Sequence, residues 1–420
     1  WVECADKLDY HGMNGCRRLR ICVFPTSSHE FKLRSELFPD HVIVPGGNVI
    51  QNFYDGDCNV IAGESTFLAN AEATLKQETN YTGDFLLGEN KFSKEPLALV
   101  TRQDDALWSG FVNHVLQALM AAERENITQH SAESFYKTSL FGDEYERMFI
   151  NAIKAVGNFA ELYERNLGSV LDRDGLNLLN TNGDTGLIYS FPYGDMSVEG
   201  TTTNGGTLEK ILARGYLICG ITKRPGFAEF DNNTQTWSGL DVDFCRALAA
   251  GVVADSETTV VFTELESAAD RFIPLAEEEV DVLAGESQTL SADIFESTTK
   301  KGFTFTKPYF YLTGGGEWNS TSFSMVTRED DPQFSDFVYW IISSTFYAEE
   351  HNIGQAEYIH MPLKVSLFGP EFENILQEAI KAVGNYGEMY ARSVERLQPR
   401  NNTRNMLNSV PFGPQIFPLI

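Results

Sequence analysis

The sequence predicts an α/β protein built from mainly parallel sheets flanked by helices, with one half-domain present twice. Three observations carry that expectation. From Thr207 onward, short apolar runs alternate with segments of helical periodicity. V-T-R-Q-D-D at Val100 to Asp105 returns as V-T-R-E-D-D at Val326 to Asp331, an offset of 226 residues. Between the copies, residues 191–206 are rich in turn formers and lack periodicity, which marks a linker.

The elements follow in chain order. Near the N-terminus, the run C-V-F-P-T-S-S-H-E reads as a strand leading through Thr26, Ser27 and Ser28 into a helix start. Leu97 to Arg102 reads as a strand, and helical segments rich in Trp and Phe come after it. E-Y-E-R-M-F-I-N-A-I-K-A-V-G-N-F-A-E-L-Y at Glu144 to Tyr163 matches Glu371 to Tyr390 at offset 227, so one residue has been inserted between the two repeated blocks. Each block carries apolar residues at helical spacing and stops at Gly157 or Gly384. A repeat this long and this widely spaced is a duplicated domain or half-domain rather than a solenoid. After the linker come helix T-L-E-K-I-L-A-R-G, strand Y-L-I-C-G-I-T, turn R-P-G-F, and a helix that Asp241 is placed to cap. Strand T-V-V-F-T-E-L, helix A-A-D-R-F-I-P-L-A and strand V-D-V-L-A-G complete the series.

Charge and cysteine usage narrow the function classes. The chain has 32 basic and 59 acidic residues, a net charge of -27, which repels nucleic acid and anionic membrane surfaces. Apolar stretches such as 337–346 are about half the roughly 20 residues a membrane-spanning helix needs. No nucleic-acid partner and no membrane insertion are therefore expected. The six cysteines lie in close sequence pairs, Cys4 with Cys16, Cys22 with Cys58 and Cys219 with Cys245, and lack the spacing of zinc ligands, so disulfides and an oxidising compartment are expected. Sequons at Asn80, Asn126, Asn232, Asn319 and Asn401 are candidate N-glycosylation sites in a secreted protein. The G-x-S-x-G, H-E-x-x-H, Walker and Rossmann fingerprints are missing and the seven histidines are scattered, so neither catalysis nor a cofactor or metal is expected.

A-R-G-Y-L-I-C-G-I-T, then P-G-F, W-S-G-L-D-V-D-F-C-R-A and E-V-D-V-L, resemble the first lobe of family 3 periplasmic solute-binding proteins, most nearly the general L-amino-acid-binding proteins of ABC importers. The resemblance implies type II lobes, in which the chain builds half of lobe one, then all of lobe two, then the rest of lobe one. Gly15 to Asn70 is similar to lobe two, and the segments after Lys94 and after Phe323 are both similar to the second half of lobe one. The resemblance thus implies a rearranged tandem copy. Residues 1–96 are a lobe-two-like domain, 97–190 the second half of lobe one (copy A), 191–206 a linker, 207–316 the first half of lobe one, and 317–420 the second half again (copy B). It also implies disulfides comparable to Cys22 with Cys58 and Cys219 with Cys245.

In the family a T-x-x-R motif after E-V-D-V-L supplies the Arg that binds the ligand carboxylate. Here Thr289 remains but Ala292 stands at the Arg position, a loss of a charge-assisted pair. Thr26, Ser27 and Ser28 are candidate anion contacts or simple helix caps. Glu64 is a displaced substitute for the family's ammonium-binding Asp, and Glu64 and Glu286 are otherwise surface carboxylates. Phe227 either stacks on a ligand or is a buried loop aromatic. These features predict a non-enzymatic extracellular protein with an eroded ligand site, acting as an assembly scaffold that is glycosylated and forms filaments. The alternative is a periplasmic receptor for amino acids or similar small polar ligands feeding an ABC-type transporter. The expected partners are other copies of the chain or an upstream segment completing copy A, glycans, and a small amino-acid-like ligand.

Overall fold

In the computed structural model, described residues are 19–27, 29–30, 33–34, 42–78, 97–102, 105–138, 141–169, 171–173, 177, 206–253, 259–266, 271–287, 302–312, 322–363, 368, 372–400 and 405. By contacts, residues 1–96 with 163–174 make one compact unit, and 97–162 with 175–420 make a second.

In the first unit, β1 (Arg20–Val23) is the central strand because its Ile21, Cys22 and Val23 are apolar on both faces and buried. It pairs in parallel with β2 (Val42–Pro45) on one side and β3 (Val60–Ile61) on the other. Helix α1 (Val49–Tyr54) starts at Asn48, whose side chain accepts the Gln51 N–H at 3.0 Å. Cys22 and Cys58 are bonded, tying β1 to the chain just before β3. Helix α2 (Ser65–Glu78) follows.

Copy A forms its helices but not its strand. Residues 97–102 carry no strand, and Leu97, Leu99 and Val100 are exposed. The expected strand is corrected here for a physical reason: its repeat counterpart already occupies the place in the sheet that this sequence would take. Helix α3 (Ala106–Arg124) is capped by Asp105, which accepts the Trp108 N–H. It packs on α4 (Met148–Val156) through Ala118, Ala122, Phe149 and Ile153, and its Gly110 passes close to Glu329. Helix α5 (Phe159–Asn166) follows.

Among the described residues, the strands of the second unit's sheet all lie after residue 206. Helix α6 (Thr207–Arg214) leads through Gly215 into β4 (Leu217–Ile221), then a small hairpin of β5 (Glu229–Asp231) and β6 (Thr236–Ser238). Helix α7 (Leu240–Val253), β7 (Val260–Glu264), α8 (Phe272–Ala276) and β8 (Val282–Ser287) come next. Strands β9 (Phe303–Phe305), β10 (Phe310–Tyr311) and β11 (Ser322–Arg328) precede the helices of copy B, which are α9 (Pro332–Glu350), α10 (Ile375–Val383) and α11 (Tyr386–Ser393). The sheet order is β10-β11-β8-β4-β7, with β9 also pairing with β11. Strands β7, β4 and β8 are parallel, while β11 runs against β8.

Every residue of β11 is buried, as an interior strand covered on both faces must be. The apolar face of α10 (Ile375, Leu376, Ala379, Ile380, Val383) lies against α7, which is buried along nearly its whole length. Gly251 lets α7 approach closely. A Cβ there would lie 2.9 Å from Ile341 and 3.1 Å from Phe337. Copy B and the segment 207–287 thus share one sheet and one core. Cys219 of β4 is bonded to Cys245 of α7, fixing helix to sheet. Among the described residues, no helix is long and apolar enough to cross a membrane.

Candidate functional site

The parallel strands set the place of a site before any side chain is considered. The chain leaves β4 for β7 on one side and returns to β8 on the other, so the strand order reverses at β4. Open α/β sheets characteristically bind ligands outside the carboxyl ends of the strands at such a reversal, here those of β4 and β8. Five charged or polar side chains meet at that edge: Arg224, Asp241, Arg271, Glu286 and Tyr309.

Gly285 is the pivot, with φ +74, and a Cβ on it would lie 2.2 Å from Oδ2 of Asp241. Its N–H donates to the Tyr309 hydroxyl at 2.7 Å, and that hydroxyl donates to Oδ1 of Asp241 at 2.5 Å. Its carbonyl accepts from Nη1 of Arg224 at 3.1 Å, while the Arg224 guanidinium lies over the Phe323 ring at 4.2 Å. Arg271 donates to the Thr222 hydroxyl at 3.0 Å, and its Nη2 stands 2.9 Å from Oε2 of Glu286. The Glu286 contact is one of charge rather than an aligned hydrogen bond. Oε2 of Glu286 and Oδ2 of Asp241 are both buried and have no hydrogen-bond partner among the described residues.

Burial dominates the electrostatics. It pushes the Asp241 carboxyl up to about 6, against the Tyr309 hydrogen bond and the charge of Arg224. It pushes Glu286 up to about 7, against Arg271 and Arg224 and with help from the neighbouring Asp241 charge. The Tyr309 hydroxyl is held well above the ordinary phenol range by burial and by Asp241. Two carboxyls and two guanidiniums in a dry strand edge suit a ligand that carries charge of both signs. The amides that open α7 are not available for an anion. Those of Leu240 and Asp241 already donate to the carbonyls of Gly226 and Phe227.

Two sequence expectations change here. Glu286 is not a surface carboxylate but is 1% exposed, because it ends a strand covered on both faces. Asp241 does not cap α7. It sits one residue inside the helix and is turned to Tyr309, since the loop carbonyls of Gly226 and Phe227 already take the first helical amides.

The remaining expected residues lie elsewhere. Phe227 is buried, edge-on to Phe310 at 4.7 Å and to Phe323 at 5.2 Å, so it floors the site through Phe323. Thr26, Ser27 and Glu64 belong to the first unit. Thr26 has φ +59 and gives its N–H to Glu30, and the Ser27 hydroxyl accepts the Glu30 N–H as a cap does. Glu64 is exposed just before α2. Asn126, at the end of α3, and Asn232, in the β5–β6 turn, are exposed. Ser28, Thr289, Ala292, the pair Cys4 and Cys16, and Asn80, Asn319 and Asn401 lie outside the described residues.

Arg224, Arg271 and Tyr309 were missed by sequence reasoning. The available signal was ionisable residues set inside apolar runs, Asp241 in G-L-D-V and Glu286 in V-L-A-G-E, which need partners when buried.

No family model matches the chain. Among curated proteins it is similar to the general L-amino acid-binding periplasmic protein AapJ of Rhizobium johnstonii, with 36% identity over 123 residues, 29% of this chain and 33% of that protein. It is also similar to the glutamate/glutamine/aspartate/asparagine-binding protein BztA of Rhodobacter capsulatus, with 31% identity over 211 residues, 46% of this chain and 60% of that protein. The chain spans less than two thirds of the length of these relatives. Among solved structures, a periplasmic binding protein from Brucella ovis with glutathione bound aligns at 22% identity with a TM-score of 0.39, covering 48% of this chain and 94% of that one. The curated relatives are thus family 3 amino-acid-binding periplasmic proteins, and the partial coverage is consistent with a rearranged or partial copy of such a protein.

Proposed function

We propose that the chain is a non-enzymatic binding protein that acts outside the cytoplasm and holds a small zwitterionic ligand at the carboxyl ends of β4 and β8. One observation carries the reading: at the strand-order reversal of the second unit's sheet, two buried carboxylate oxygens lack hydrogen-bond partners among the described residues, beside two guanidiniums. An ammonium group would satisfy Glu286 and Asp241, and a carboxylate would meet Arg224 over its Phe323 floor. The loss of Arg at position 292 removes the family's usual carboxylate clamp, and Arg224, hydrogen-bonded to the Gly285 carbonyl, is the substitute. Relatives whose names describe amino-acid binding support this reading over a purely structural scaffold.

Isothermal calorimetry of the full chain against the common amino acids tests it. Micromolar binding of at least one is expected. It should weaken at least tenfold in Arg224→Ala with the circular dichroism unchanged, and should be tighter at pH 8 than at pH 5, because Glu286 must be ionised to hold an ammonium. No heat across the panel at either pH would remove the proposal. One observation also favours an assembly role: Val100 and Trp108 of copy A are exposed where their repeat counterparts Val326 and Phe334 are buried.

A further inference from the structure

The helices of the two repeat copies fold alike but are not covered alike. Within each, the same contacts recur. Gln129 donates to the carbonyls of Lys154 and Ala155 as Gln355 does to those of Lys381 and Ala382. Asn158 reaches the Ile127 carbonyl as Asn385 reaches that of Ile353. Asn126 and Asn352 share a left-handed backbone, as do Gly157 and Gly384. The helical part of the module is therefore the same object twice.

Its outer face differs position by position. Val326 of β11 is fully buried and its counterpart Val100 is 92% exposed, while Phe334 of α9 is 1% exposed and its counterpart Trp108 is 52% exposed. Phe337, Ile341 and Ala379 are buried, whereas Phe111, Val115 and Ala152 are only partly so. The copy B positions are covered by the segment 207–287, with β8 beside β11 and α7 against α9 and α10, and Phe337 also packs on Phe368 and Phe372 of its own copy. Polar contacts mark the same junction. One oxygen of Asp331 caps α9 while the other accepts the Thr207 N–H at 2.7 Å. Asp105 caps α3 in the same way with one oxygen and has its other oxygen 3.9 Å from Arg102. Arg392 pairs with Asp243 of α7, and Arg165 is its counterpart in sequence.

We infer that this face of copy A is a docking surface for a further half-lobe of the 207–287 type, which would pair a strand with residues 97–102 and lay a helix across Trp108, Phe111, Val115 and Ala152. The occupant is an additional one, because the 207–287 segment of this chain is already seated on copy B. The inference is independent of whether the strand edge holds a ligand.

Hydrogen exchange on the full chain extended before Trp1, through a flexible linker, by a second copy of residues 207–287 tests it. Residues 332–350 serve as the internal standard of a covered helix. The added half-lobe is expected to slow exchange across 106–124 at least tenfold towards the rate of 332–350. Leu248→Asp in the added half, or Val115→Asp in the chain, should abolish that slowing. Unchanged exchange in 106–124, or equal slowing with the Leu248→Asp half, overturns the inference.

Discussion

Asp241, Glu286 and Glu329 make the pH response of this protein unusual. An ordinary carboxyl partnered on folding has its proton affinity lowered, but burial raises all three, to about 6, about 7 and about 7. The folded state then holds more protons than the unfolded state between about pH 4 and pH 7. These groups contribute most stability below their unfolded values, and that contribution is lost as pH rises through 6 and 7. Urea unfolding should accordingly show a midpoint that falls between pH 5 and pH 8. Glu286→Gln should flatten the fall, by up to about 3 kcal/mol for a shift of this size. A midpoint that rises over the same interval would mean that Glu286 is compensated by partners the described residues do not include. Legibility at this scale was partial. The disulfide pairs Cys22 with Cys58 and Cys219 with Cys245 followed from resemblance and are formed. Burial of Glu286 did not show, because A-G-E-S in isolation has the look of a surface turn and only the strands on either side make it interior.

At the scale of elements, α3 and α9 are the instructive pair. Both carry an apolar stripe, both begin at an Asp that accepts the N–H three residues on, and both are 19 residues long. Periodicity alone gives them equal standing, and both are helices. Their neighbours separate them: α9 is packed between β11, α7 and the copy B helices, while α3 packs chiefly on α4. Ile341→Asp should therefore cost several kcal/mol by burying an unpaired charge, and Val115→Asp at the matched, half-buried position should cost less, about 1–2 kcal/mol. Matched urea titrations of the two variants decide it. Equal losses would show that the outer face of α3 is covered. The failed strand at 97–102 belongs to the same lesson. V-T-R-Q-D-D and V-T-R-E-D-D have nearly identical strand preference, yet only the second lies next to β8. Strand formation depends on a partner for its N–H and C=O groups, which local sequence does not encode.

For the whole molecule, the surplus of acid over base dominates the long-range electrostatics. A net charge of -27 on 420 residues means that compaction is opposed by self-repulsion that salt screens. Raising sodium chloride from about 10 to about 300 mM should raise the urea midpoint at pH 7.5. A lowered midpoint would instead give the ion pairs, such as Arg400 with Glu349 and Arg392 with Asp243, the larger share. The sequence by itself determined the α/β class, the duplication and the acidity, because these follow from periodicity, self-similarity and composition, which are properties of the string. Tertiary structure alone decided which copy joins the sheet of the 207–287 segment, that Glu286 and Asp241 are interior, and that Arg224, Arg271 and Tyr309 stand beside them. Those outcomes depend on competition between two similar segments for one sheet and on the dry environment the winning segment creates.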